Sequence, residues 1–127
     1  MSALRYRTVW LAAGWLLVML VIYLSVTSRP LEIPLEEGDK LGHLAAYATL
    51  MMWFGQLYAG RRRVIAFLGF IALGVALEYV QRATGYRSFD WWDMAADAAG
   101  TLSGLVLCPP RLPNVLAMVE RCVRPRA

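Results

Sequence analysis

The residues best suited to chemistry in this chain fall into three short strings. Asp39, Lys40 and His43 form the first, Glu78 and Gln81 the second, and Arg87, Asp90, Asp93 and Asp97 the third. They supply carboxylates, two cations, an amide and one imidazole that titrates near neutrality, a set suited to ligand binding or general acid–base work. His43 is the only histidine, which excludes multi-histidine metal sites of the HExxH kind. Glu78, Asp93 and Asp97 are hard oxygen donors and leave room for a divalent cation such as Mg²⁺. No resident cofactor is expected: there is no glycine-rich phosphate loop, and Cys108 and Cys122 are not spaced as a CxxC pair.

Helical periodicity places each string on one face. Asp90, Asp93, Asp97, Gly100 and Gly104 fall within an arc of about 80°. Gly74, Glu78 and Gln81 share about 60°, and Asp39, Lys40, His43 and Tyr47 about 100°. The Gly100/Gly104 pair has the small-xxx-small spacing that lets a neighbouring helix approach closely, and a helix bearing Gly74 is its expected partner. Asp90 and Asp93 also suit the ordinary role of capping and charging a helix start. Lys40 suits either a side chain reaching to water or an ion pair with Asp97 or Glu78. Asp97 and Glu78 lie deeper, where an isolated carboxylate is costly and a purpose is expected.

The elements that must hold these residues are apolar. Of 127 residues, 59% are hydrophobic and 17% charged, with a mean hydropathy of +0.49, which is too apolar for a soluble domain of this size. Four stretches, at about residues 8–26, 40–59, 64–81 and 91–107, predict an all-α protein, an antiparallel bundle of four transmembrane helices in a single domain, with a tail at 109–127 on the inner surface. The first stretch is read as a retained span because its uncharged length exceeds that of a signal-peptide core. Arg5 and Arg7, then Arg61, Arg62 and Arg63, then the arginines of the tail cluster on one side, which predicts that both termini are cytoplasmic. The sequence pI of 9.4 follows from those clusters. No basic face is interleaved with aromatics, so contact with membrane phospholipids is expected and nucleic acid is excluded. On the opposite side, Glu32, Glu36 and Glu37 read as a solvated loop. The inward polar faces, Asp39, Lys40, His43, Glu78, Gln81, Arg87, Asp90, Asp93 and Asp97, converge into one pocket at the outer leaflet.

The strings Asp39-Lys40-Leu-Gly-His43, Glu78-Tyr-Val-Gln81 and Arg87-Ser-Phe-Asp90-Trp-Trp-Asp93 through Asp97 and Gly100 resemble the VanZ-like family of small bacterial membrane proteins. The resemblance covers the second to fourth spans, and Asp97 departs from the asparagine usual in that family. It implies a multi-pass protein of the bacterial cytoplasmic membrane and a link to teicoplanin resistance. Three functions follow as expectations. The first is a non-catalytic pocket for a lipid headgroup, a lipid-linked cell-wall precursor or an amphiphilic antibiotic, with Arg87 and Lys40 as anion ligands. The second is a metal-assisted hydrolase or transferase acting on lipid-linked phosphate through His43, Glu78, Asp93 and Asp97. The third is a proton-coupled transporter titrating at Glu78 and Asp97. The first is preferred because no nucleophile is visible.

Overall fold

The structure is a computed structural model that describes residues 3–27, 38–85 and 89–125, with Gly38 and Asp39 described by backbone alone. The loop carboxylates Glu32, Glu36 and Glu37 lie outside these residues, as does Arg87. Every regular element among the described residues is helical: α1 (Arg7–Val26), α2 (Gly38–Leu57), α3 (Arg61–Thr84), α4 (Trp91–Leu107) and α5 (Val115–Val123). The chain is thus all-α. Gly60, at φ 55°, turns α2 directly into α3, and Gly85, at φ 79°, ends α3 in the left-handed conformation that glycine adopts without strain. With α3 opening at Arg61 and closing at Thr84, it extends beyond the expected 64–81 at both ends. The expected tail folds as α5, whose N-cap Asn114 accepts from the Ala117 N–H.

α1 and α3 are long and apolar enough to cross a membrane, and only 11% and 28% of their apolar windows are buried within the protein. At 17 residues α4 is about 25 Å long, while α2 carries Lys40 and His43 in its first turns. Polarity is distributed unusually. Leu16, Met19 and Tyr23 of α1 and Val64, Ile65 and Leu68 of α3 are more than half exposed, whereas Glu78, Gln81, Asp93, Asp97 and Thr101 are buried. Exposed apolar surface of this extent marks contact with something other than water.

The most extensive pairing joins α2 to α4. The two run in the same direction, because Lys40 meets Asp93, His43 meets Asp97, and Leu44, Ala48 and Gly55 meet Gly100, Gly104 and Cys108 in turn. α1 and α3 run the other way: Arg7 at the start of α1 donates to the Leu57 carbonyl at the end of α2 (3.2 Å), and Gln81 near the end of α3 donates to Ser25 near the end of α1 (2.8 Å). The antiparallel bundle therefore has a parallel pair at its centre. The Gly100/Gly104 stripe, expected against the Gly74 helix, packs instead on the α2 backbone: a Cβ at Gly100 would overlap the Leu44 carbonyl, and one at Gly104 would lie 2.6 Å from the Ala48 carbonyl oxygen. The stripe continues the face that carries Asp93 and Asp97, and those carboxylates are drawn to Lys40 and His43 of α2. Gly74 makes room for a side chain instead, since a Cβ there would lie 3.0 Å from Asp97 Oδ2.

Polar ties close the arginine-rich end. The buried Glu120 carboxylate accepts from the Arg5 and Tyr6 amides (2.8 and 2.9 Å) and from the Trp10 indole (2.8 Å). Burial works against its charge, but the amides of Tyr6 and Arg5 and the Trp10 indole together hold the Glu120 carboxyl below its ordinary range. Gln56 Oε1 accepts from the first amides of α5, Val115 and Leu116. Arg63 donates to the carbonyls of Gly55 and Tyr58, orphan groups at the end of α2, and to that of Pro109 just past the end of α4.

The glycine seam makes a direct prediction. Gly100→Leu should separate α2 from α4 and lower stability by on the order of 1–3 kcal/mol or more, the usual cost of overpacking. Gly69→Ala, where a Cβ meets nothing within 4 Å, should not lower it. Thermal unfolding in detergent measures both, and a Gly100→Leu protein that melts with the parent would refute the seam.

Candidate functional site

Three helix ends meet at the far side of the bundle: the N-termini of α2 and α4 and the C-terminal turns of α3. Asp90 sets the geometry. As the N-cap of α4 it holds an extended backbone, and its Oδ1 accepts from the Trp92 N–H (2.8 Å). Its own N–H donates to Glu78 Oε1 of α3 (2.7 Å). Its second oxygen takes the Lys40 ammonium of α2 at 3.1 Å, and the same ammonium reaches Asp93 Oδ1 at 3.5 Å. One residue thus fastens three helices.

One helical turn deeper, His43 stands between two aspartates. Its Nδ1 is 2.7 Å from Asp97 Oδ1 and its Nε2 is 3.8 Å from Asp93 Oδ2. As an imidazolium the ring donates toward both carboxylates, and as a neutral ring protonated on Nδ1 it donates to Asp97 alone. Asp93 and Asp97 point to α2 because they lie four residues apart on one face of α4, and Asp97 seats itself against Gly74 of α3. Glu78, one turn beyond Gly74 and 1% exposed, lies close enough to Asp93, Asp97 and His43 for their charges to act on it. Its Oε2 is buried and has no hydrogen-bond partner among the described residues. A buried polar atom in that position is normally satisfied, so this oxygen is open to a proton or to a donor brought in by a ligand.

Six of the nine expected site residues therefore come together: Lys40, His43, Glu78, Asp90, Asp93 and Asp97. Gln81 is buried but gives its amide to Ser25 of α1. Arg87 and the Asp39 side chain lie outside the described residues. Lys40, for which an ion pair with Asp97 or Glu78 was one expectation, pairs with Asp90 and Asp93 instead, because it sits one turn above His43 at the level of the α4 cap. Tyr47, 2% exposed and one turn below His43, is a further member, close enough to Asp97 and Glu78 to feel both charges. Its place on the α2 polar arc was the signal for it. Among the described residues no three His, Cys, Asp or Glu side chains group so as to hold a metal ion.

Among the described residues, four carboxylates face one ammonium and one imidazole. Such a cluster binds protons, cationic groups and hydrogen-bond donors more readily than it binds free anions. No family model, curated protein or solved structure matches the chain.

The Asp90 links carry a pH dependence. The Trp92 amide first, and Lys40 with it, hold the Asp90 carboxyl below the usual carboxylate range. A depressed carboxyl contributes stability that is complete above its unfolded value, near pH 4, and is lost as pH falls through the lower folded value. Melting temperature should therefore drop as pH is taken below about 4. Asp90→Asn, which still caps α4 but cannot carry the charge, should show a shallower acid decline, and an acid limb identical to that of the parent would remove the link.

Proposed function

We propose that the chain is a VanZ-like protein of the bacterial cytoplasmic membrane, with four spans and both termini cytoplasmic, and that the polar cluster is a non-catalytic binding pocket at the outer leaflet. The membrane reading is supported by two helices of sufficient length and apolarity and by apolar surface facing outward over a polar interior. The arginine-rich end, with Arg5, Arg7, Arg61, Arg62 and Arg63, belongs on the inner side under the positive-inside rule. That orientation sets the carboxylate end at the outer leaflet.

The ligand is an amine-bearing amphiphile: an aminophospholipid headgroup, a lipid-linked envelope precursor, or an amphiphilic antibiotic of the teicoplanin type. The observation that carries this reading is the buried, unpartnered Glu78 Oε2 beside a cluster rich in carboxylates whose one described ammonium, Lys40, is already engaged. An ammonium or other donor from the ligand would satisfy that oxygen and offset the clustered charge. Arg87, from the loop before α4, would contact the ligand's phosphate or carboxylate. Occupancy of the pocket would then alter envelope properties or glycopeptide sensitivity.

A second reading draws on the His43–Asp97 pair at 2.7 Å, in which a carboxylate orients an imidazole as it does in general acid–base catalysis. It would make the protein a hydrolase or transferase acting on lipid-linked phosphate.

Cells carrying Glu78→Ala, Asp97→Ala or Arg87→Ala should lose any teicoplanin tolerance conferred by the parent, and the purified variants should lose selective retention of phosphatidylethanolamine over phosphatidylcholine. Glu36→Ala and Glu37→Ala should match the parent. Site variants that insert normally and behave as the parent in both assays would end the binding reading. Mg²⁺-dependent release of phosphate from a lipid-linked substrate, lost in His43→Gln, would replace it with the catalytic one. A reporter fused after Ala127 that is active only outside the cytoplasm would invert the orientation.

A further inference from the structure

A second recess opens at the arginine-rich end, runs along the side of the bundle and shares no residue with the polar cluster. It is a groove of about 710 Å³ between α1 and α3, closed at its base by Phe54 of α2 and by Tyr58, the residue that follows that helix. A volume in this range suits a drug-sized or acyl-chain ligand. Its walls are apolar, with Trp15, Val18 and Ile22 on one side and Ile65, Phe70 and Leu73 on the other, and no carboxylate lines it. Trp15 and Ile65 are 58% exposed, so the groove opens sideways from the bundle.

Charge is confined to one end, where Arg7 and Arg62 stand. Arg7 is held in place by its bond to the Leu57 carbonyl and by the Tyr58 ring, 5.4 Å from its guanidinium carbon. Arg62 is exposed, in contrast to Arg63, whose donors are consumed by three carbonyls. The groove runs eleven residues along α3, from Arg62 to Leu73, and fifteen along α1, from Arg7 to Ile22, or about 16 to 22 Å, enough to take the hydrocarbon depth of one leaflet. A cationic mouth on an apolar slot one leaflet long has the shape of a single phospholipid, with phosphate at the arginines and a chain beside Trp15 and Phe70.

We propose that this groove is a binding site for an anionic glycerophospholipid of the inner leaflet, with Arg7 and Arg62 holding the headgroup and the α1–α3 slot holding one acyl chain. The site rests on the membrane embedding proposed above but not on the ligand of the outer pocket, whose charge preference is the opposite. Gly69 lies in the slot, and a side chain added there meets nothing within 4 Å of its Cβ. The slot can therefore be filled without disturbing the helix packing.

The test is native mass spectrometry of the full chain in neutral detergent, titrated with phosphatidylglycerol or phosphatidylcholine of matched chains. The parent should retain phosphatidylglycerol roughly tenfold better, the scale expected of one to two arginines at an anionic surface. Arg7→Gln combined with Arg62→Gln should bring the two lipids to within roughly twofold of each other. Gly69→Phe should reduce retention of both lipids, and it carries the test if the double variant fails to fold. Arg111→Gln with Arg121→Gln should keep the preference, which separates the groove from general basic attraction. A parent with no preference, or a preference that survives both groove variants, overturns the proposal. Release of the protein from membranes by alkaline carbonate would overturn it together with the membrane reading, whereas loss of outer-pocket binding alone would leave it standing.

Discussion

Gly100 and Gly104 let the α4 backbone rest on the Leu44 and Ala48 carbonyls of α2, and the rest of the structure depends on that approach. With any larger residue at those positions the helices would stand further apart, and the short Asp93 and Asp97 side chains could not reach Lys40 and His43. Because the two helices run in the same direction, their N-termini lie side by side. Two positive helix ends then lie beside Asp90 and Asp93, which lowers the cost of gathering carboxylates there. Glu78 is the exception, placed near the C-terminal end of α3, and it is compensated by the otherwise orphaned N–H of Asp90.

The same logic recurs at the opposite end. The start of α1 receives the Glu120 carboxylate, and the start of α5 receives the Asn114 and Gln56 side-chain oxygens. α3 breaks the pattern: its first turn opens with three arginines and holds no acidic residue, and its N-cap makes no side-chain bond. Three positive charges at a helix N-terminus oppose the macrodipole. The arrangement is tolerated because Arg63 folds back onto the end of α2 and its charge serves three carbonyls.

Much of this was legible in the sequence, and for identifiable reasons. The four apolar stretches and their stops are written in composition, glycine and proline, so the first four helices lie close to their expected ranges. The shared polar faces of α2, α3 and α4 follow from spacing alone, which is why Lys40, His43, Glu78, Asp90, Asp93 and Asp97 were identifiable before the fold. Spacing gives the face of a helix but not the helix that meets it. The Gly100/Gly104 seam was therefore assigned to the wrong neighbour, and Lys40, left open between water and an ion pair with Asp97 or Glu78, pairs with Asp90 and Asp93. Gln56, Arg63 and Glu120 were illegible as ties because their partners are backbone groups, which look alike in every sequence. Tyr47 was marked only by its place on the α2 polar arc, which gives its face but not the depth at which it meets Asp97 and Glu78.

Pinned by Lys40 and His43 at one end, by two glycines along its length and by Gly55 against Cys108 at the other, the α2–α4 pair behaves as a single spar. It has no slack to open around a guest. α3 is attached to that spar at the carboxylate end chiefly through the Glu78 bond and the Asp97–Gly74 contact, and its outer face has nothing from the protein over it. Any strain introduced at the carboxylates would therefore be relieved by α3 tilting on the spar, with Gly60 as its pivot. The wall that would swing is the one that also bounds the slot shared with α1. Two sites with no residue in common would thus be connected by one lever.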